Sequence, residues 1–391
     1  MGQGGFYTEQ FLVKGKKNQP TRILNVVYDC GSTSTKILGR ELKRALLKED
    51  IIDIFFISHF DNDHINGLKQ LAGMKVRYLV LPLLEKSQKI TTFLADEFDA
   101  SKKSEFEEAF QISIGQIIYY RQMVSQDNDQ SSNGQESTIY LDEDDPTRDI
   151  REVDSGTGLS LAKDIQWVYI PFNVCDNSIF EDFIKVLSKN SSKLYEKIIN
   201  YITADDSEEL KDILSAEDIK KLKEIYKEVS SNDRNQTSLV VYSGPKYVDE
   251  TPDCNFQNYR FIQATSNNDR FSKRLRYSVG ALYTGDLNLK LKIVSPKGIE
   301  ESALSFIKQK IDKYKSYIGL IQLPHHGSKY NFDPSIISEF PSASNFFYSY
   351  GLRNIYGHPY SGIRLWLNAY HRNLHEITED PESELKQIIH L

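Results

Sequence analysis

Six consecutive residues, His59-Phe60-Asp61-Asn62-Asp63-His64, supply two imidazoles and two carboxylates to one short segment. The rest of the histidine distribution singles this segment out. The chain has eight histidines, none before His59 and none between His64 and His325. His325 and His326 are adjacent in Pro324-His325-His326-Gly327-Ser328, and His358 follows in Tyr356-Gly357-His358-Pro359. Imidazole nitrogens and carboxylate oxygens are the donors of choice for divalent transition metals. If the first loop stays extended, alternation points His59, Asp61 and Asp63 one way and His64 toward the neighbouring position, an arrangement that serves two adjacent cations. A calcium loop of the EF-hand kind fits poorly, because the carboxylates are too closely spaced and histidine is a poor calcium ligand. His371 and His375 lie four apart on what reads as a C-terminal helix, but without the adjacent Glu of a zincin they read as a solvated face.

Something rigid must aim these loops. The run Ile51–Ile57 is apolar on both faces, as a central buried strand should be, and stops at Ser58-His59. Ile23–Tyr28, Val76–Leu83, Ile165–Pro171, Ser238–Tyr242, Val279–Thr284, Ile318–Leu323 and Asn345–Tyr350 also read as strands. Loops at the carboxyl ends of strands are where α/β proteins place chemistry. Helices are expected over Lys36–Leu47, Ile65–Ala72 and 300–314. Residues 85–123 read as charged and helical, 124–157 as a mobile acidic loop, and 176–230 as helical again, with Ser215-Ala216-Glu217-Asp218 as a capping box. The blocks 85–157 and 176–230 read as insertions on one domain spanning 1–391, the second as a lid or a buttress.

The order His-x-Asp-x-Asp-His, Tyr283-Thr284-Gly285-Asp286, Pro-His-His-Gly-Ser and Tyr-Gly-His-Pro resembles the metallo-β-lactamase superfamily. It is most similar to the soluble hydrolase domain of the ComEC-like DNA-uptake branch. Gly2-Gln3-Gly4, Asp29-Cys30-Gly31 and Asn235 to Leu239 match smaller motifs of that branch. The resemblance implies an α/β fold, a four-layer αββα sandwich, carrying the helical insertions. It implies two metals held about 3.5–4 Å apart that share a hydroxide nucleophile. Asp63 and His64 would hold one metal with one of His325 and His326, taken as His326, though the choice between the two stays open. His59 and Asp61 would hold the other, and Asp286 would bridge. Asp63, His325 and His358 are the candidate catalytic residues. Asp61 stands where most of the superfamily has a second histidine, and the usual isolated histidine before the Gly-Asp motif is absent. That carboxylate-rich donor set points to Mn²⁺, with Zn²⁺ as competitor.

Composition bounds the substrate and the compartment. The formal net charge is -7, poorly suited to gripping long duplex nucleic acid by phosphate neutralisation alone. A basic groove near Lys273, Arg274 and Arg276 would favour nucleic acid. Three cysteines at wide spacing argue against a disulfide framework, and Cys30 reads as a small buried hydrophobe. No apolar run approaches the roughly 20 residues that cross a bilayer, and no signal peptide is legible, so a cytoplasmic protein with no membrane is expected. The expected function is phosphodiester hydrolysis of nucleic acid or a nucleotide. The alternatives are amide, ester or peptide hydrolysis, and a sensor or effector subunit whose helical insertions bind a protein partner.

Overall fold

The computed structural model describes residues 4–13, 22–46, 51–96, 103–123, 137–141, 149–163, 165–175, 177–204, 210–229, 237–246, 262–263, 278–294, 300–355, 357–380, 383, 385 and 387–388. Gly2, Gln3, Asn235, Lys273, Arg274, Arg276 and Tyr356 lie outside that set.

Two mixed sheets dominate. The first runs Tyr7–Val13, Arg22–Tyr28, Ile51–Phe56, Lys75–Pro82, Ser113–Tyr120, Ile150–Val153. Its first pair is antiparallel and every later neighbour is parallel. The second runs Asn373–Ile377, Asn345–Ser349, Ile318–Gln322, Gly280–Tyr283, Thr237–Pro245, Trp167–Cys175, Gly158–Ser160, Thr138–Tyr140. Its strands from Gly280 to Ile377 are mutually parallel, and Thr237–Pro245 is antiparallel to both of its neighbours.

The doubly apolar strands explain the layering. Successive side chains on a strand point to opposite faces, so a strand apolar at every position must be covered on both. Ile54 and Phe56 enter the cluster between the sheets with Tyr169, Val241 and Tyr283, whereas Ile52 and Phe55 pack outward against Leu38, Leu42 and Leu68. In the second sheet, Val240 and Phe346 turn outward onto Leu304, Ile307, Ile336 and Ile363 of the helices on that side. The order is helices, sheet, sheet, helices, the four layers expected.

Several local expectations need correction. Ser113–Tyr120, inside the block read as helical, is an interior strand of the first sheet. Its charged neighbours on Lys86–Asp96 and Lys103–Phe110 are helical, but Ile114, Ile117 and Ile118 are buried on opposite faces. Two parts of the block read as a loop, Thr138–Tyr140 and Ile150–Val153, are strands that extend one sheet each. Glu300–Ser302 is a strand, and the helix starts only at Ala303. The final helix is Ser361–Ala369. His371 follows it in a left-handed turn, and His375 lies on the strand Asn373–Ile377 with Nε2 against Asn345. They are not a helical pair.

The 176–230 block is helical, as Ser178–Asn190, Ser192–Thr203, Leu210–Ile213 and Ala216–Val229. With Lys86–Asp96 it encloses a separate apolar cluster that includes Ile90, Phe183, Leu187, Ile198 and Leu222. Ser215 and Asp218 cap the last helix reciprocally, as the capping box requires. The unit leaves the second sheet at Cys175 and returns at Thr237, which are paired in register. That edge is also where Leu239 N–H bonds the Ser58 carbonyl.

Candidate metal centre

Asp29 organises the first loop. It sits fully buried at the end of Arg22–Tyr28 with a left-handed backbone (φ 56°). Its carboxylate accepts from Ser58 N–H (2.7 Å), from the Ser58 hydroxyl (2.7 Å) and from His64 Nδ1 (2.9 Å). Gly4 and Gly31 let neighbouring backbone approach, since a Cβ on either would collide with the Asp63 carbonyl. The loop does not stay extended. Asn62–Ile65 forms a helical turn begun at Asp61, which places Asp63 and His64 inward and leaves the Asp61 side chain half exposed.

Hydrogen bonding sets the tautomers. The Ser58 hydroxyl donates to Asp29, so at 2.8 Å it accepts from His59 Nδ1–H. His64 Nδ1–H donates to Asp29, and His326 Nδ1–H donates to the Ser349 carbonyl at 2.8 Å. Each imidazole with Nδ1–H engaged presents a lone pair at Nε2. Those three Nε2 atoms are buried and make no hydrogen bond among the described residues. Buried polar nitrogens in that state cost free energy unless something else occupies them.

The Nε2 atoms face carboxylates. His64 Nε2 is 3.4 Å from Asp286 Oδ1, His59 Nε2 is 3.7 Å from Asp286 Oδ2, and His326 Nε2 is 3.4 Å from Asp63 Oδ2. His59, His64 and Asp286 form one group whose donor atoms lie within 4.8 Å of one another; Asp63, His64 and His326 form a second. Asp61 is 3.7 Å from His59 Nε2, outside both groups. His325 Nε2 is 4.0 Å from Asp286 Oδ2, and its ring packs against His358 at 5.1 Å. The donors fit divalent cations: imidazoles that turn Nε2 inward, carboxylates facing them, and partners at Nδ1 that hold each ring in place.

Charge is finely opposed here. Burial and the neighbouring His64 push His59 down to about 4, so it stays neutral. Burial would also discharge His64, but the carboxylates of Asp286 and Asp29 outweigh it and raise its pKa. His326 is raised likewise, against burial, by Asp286 and Asp63. Burial penalises ionised Asp63, yet the facing His326 imidazole and the His64 charge win and hold it at about 2. Asp286 is also held low against burial, by His64 and His325 first. The acids draw positive charge strongly enough to overcome desolvation.

Sequence reasoning located the imidazoles and acids but not their supports. Ser58 read only as the residue where a strand stops. Ser349 carried no signal, because it acts on His326 through its carbonyl. Asn354 closes its own loop by donating to Gly351 and His358 carbonyls. Cys30 is buried, and burial first, with Asp29 next, pushes its thiol pKa up, as befits a packing residue.

No protein-family model matches the sequence, and no curated protein matches it. Among solved structures the chain is similar to a long form RNase Z from yeast, at 11% identity and a TM-score of 0.26. That alignment covers 88% of this chain and 36% of the other, so the chain spans about a third of that protein's length. A TM-score this low supports no inference about chemistry. Among the described residues no helix is long and apolar enough to cross a membrane.

Proposed function

We propose that this chain is a metal-dependent hydrolase of the metallo-β-lactamase kind, holding two divalent ions, and that it cleaves phosphodiester bonds in nucleic acid or a nucleotide. One observation carries the reading. Three buried imidazoles, each fixed at Nδ1, turn bare Nε2 atoms onto Asp63 and Asp286 from loops more than two hundred residues apart. Asp63, His64 and His326 would hold one ion. His59, with Asp61 at its more open side, would hold the other, and Asp286 would serve both. Bound there, divalent ions supply Lewis acidity toward a phosphoryl oxygen and lower the pKa of water.

The chain's own residues do the rest. Asp29 and the Ser349 carbonyl keep His64 and His326 from rotating. His325, beside Asp286, and His358, packed edge-on against the His325 ring, would hold or deliver a proton to the leaving oxygen. The carboxylate-rich donor set favours Mn²⁺ over Zn²⁺.

The test couples metal analysis with turnover in Mn²⁺. Wild type is expected to carry close to two equivalents of metal and to hydrolyse bis-p-nitrophenyl phosphate. Asp63→Ala and Asp286→Ala are expected to lose metal and at least a hundred-fold in turnover while keeping the fold by circular dichroism. Full activity in both variants would sink the proposal. Turnover of nitrocefin without any phosphodiester would move the assignment to amide hydrolysis.

A further inference from the structure

The turn that carries Asp286 is held by its backbone from several sides. It leaves the strand Gly280–Tyr283, whose register with Ile318–Gln322 ends at Leu282 opposite Ile321. Beyond that point the chain curls. Gly285 is left-handed at φ 54°, and a Cβ there would collide with Ser58 and Ser238. The Thr284 carbonyl accepts from the Ser238 hydroxyl at 3.1 Å, the Gly285 carbonyl from His325 N–H at 3.2 Å, and the Asp286 carbonyl from Asn331 at 2.9 Å. The N–H groups of Thr284 and Gly285 both donate to one atom, Gln322 Oε1, at 3.0 and 3.3 Å. The Thr284 hydroxyl donates to the Gln322 carbonyl at 2.9 Å, so side chain and main chain of Gln322 grip the same turn.

Gln322 is only 4% exposed, and its chain neighbours Ile321 and Leu323 are fully buried. An apolar side chain in that place would leave two N–H groups of the turn without this acceptor, and buried donors in that state are costly. The two N–H donors fix which end of the amide is oxygen. Nε2 therefore points the other way, where it donates to the Tyr7 hydroxyl at 3.4 Å. Burial pushes the Tyr7 phenol up, so it keeps its proton. The Ser349 hydroxyl donates to the Gly4 carbonyl, so at 3.2 Å it accepts from Tyr7. The lone pairs of the Tyr7 oxygen are then left for Gln322. A residue of the first sheet thus orients the amide of the second sheet that holds the Asp286 turn.

We propose that Gln322 is a positioning residue for Asp286, and that Tyr7 sets the orientation of its amide. Asp286 turns Oδ1 toward His64 Nε2 at 3.4 Å and Oδ2 toward His59 Nε2 at 3.7 Å. A carboxylate that serves two ions needs both oxygens fixed, whereas one that serves a single ion needs only one. The inference rests on the two-ion reading above and deepens it by naming what holds the shared ligand. Its consequence is selective. Asp63, His64 and His326 have supports of their own, so loss of Gln322 should disturb the link between the ions more than occupancy of the first.

The test uses the full chain loaded with Mn²⁺. Electron paramagnetic resonance separates two Mn²⁺ ions coupled through a shared ligand from two isolated ones. Wild type is expected to give the coupled signal. Gln322→Met keeps the length of the side chain but offers no oxygen. It is expected to replace the coupled signal largely by isolated ones and to lower kcat for bis-p-nitrophenyl phosphate roughly 10- to 100-fold, with KM nearly unchanged. Gln322→Glu keeps an oxygen for both N–H groups and should recover most of the coupled signal. Tyr7→Phe removes only the hydroxyl and leaves the ring among Tyr28, Tyr283 and Phe347. It should act in the same direction as Gln322→Met and cost about three-fold in kcat. In the metal-free protein, hydrogen exchange of the peptide covering 283–287 should quicken in Gln322→Met and not in Gln322→Glu. If Gln322→Met loses its fold by circular dichroism, the signal of Tyr7→Phe decides. An unchanged coupled signal in a folded Gln322→Met, isolated signals in wild type, or Gln322→Glu behaving as Gln322→Met would overturn the inference. A wild type that gives the coupled signal but hydrolyses no phosphodiester would reject the hydrolase reading alone, because the spectra of the variants still decide the role of Gln322.

Discussion

The loops Ser58–Ile65 and Pro324–Ser328 bring buried imidazoles to one centre and are held by different physics. The first is fixed by side chains: Asp29 receives three hydrogen bonds from Ser58 and His64. The second is fixed by backbone. His325, His326 and Gly327 are consecutively left-handed, at φ 47°, 54° and 76°. Two of the three have a Cβ, and each such residue costs on the order of 1 kcal/mol. Main-chain bonds to Gly285, Pro324 and Tyr360 hold them there. Hydrogen-bonded support tolerates conformational change only if the bonds survive, whereas strained support tolerates almost any side chain but little change of backbone.

Four substitutions sharpen that contrast. Gly31→Ala should do the most damage, because its Cβ meets the backbone of Asp63 and His64, which cannot move without dismantling the loop. A loss of about 3 kcal/mol in denaturant unfolding, together with lost metal, is expected; an unchanged midpoint would show that the loop is softer than its packing suggests. Asp29→Asn removes the charge that holds His64. Metal affinity should fall roughly 10- to 100-fold by calorimetric titration, with about 1–3 kcal/mol of stability. Unaltered affinity would mean that ligand orientation does not depend on Asp29.

Gly327→Ala should cost about 1–2 kcal/mol from the left-handed backbone, with Tyr348 and Pro359 only 3.0–3.1 Å from the new methyl. It should disturb turnover more than metal content, since His326 keeps its carbonyl partner. If metal content falls as far as turnover, the strained turn itself sets the ligand. Ser349→Ala should do least. It removes the hydroxyl bond to the Gly4 carbonyl, worth about 1 kcal/mol, but leaves the main-chain acceptor of His326 in place. A tenfold loss of metal affinity here would contradict the assigned role of that carbonyl.

The same contrast explains what the amino-acid order could reveal. Apolar runs such as Ile51–Ile57 and Ile318–Leu323 announced buried strands because two covered faces demand continuous hydrophobicity. The acids and imidazoles of the first loop were legible because two imidazoles and two carboxylates crowded into six residues after such a strand have little structural use. Ser113–Tyr120 was not, because charged helices on its N-terminal side masked a short β-branched run. The left-handed turn at His325 and His326 has no local signature beyond Gly327. The helical reading of His371 and His375 failed because the helix stops at Ala369 and His371 is a left-handed residue that is not glycine. Asp61 illustrates a subtler failure: an extended loop would have aimed it with Asp63, and a helical turn rotated it toward solvent.

Tyr7 and Ser349 bond hydroxyl to hydroxyl at 3.2 Å across 342 positions of chain, and Ser349 in turn reaches back to Gly4. The neighbourhood of His326 therefore closes only when Asn345–Ser349 has reached the start of the chain. A ribosome-bound chain that has emerged as far as residue 320 already displays His59 through His64, yet it has neither His326 nor its backbone acceptor. The pocket that gathers His59, His64 and His326 is thus withheld during synthesis by topology alone.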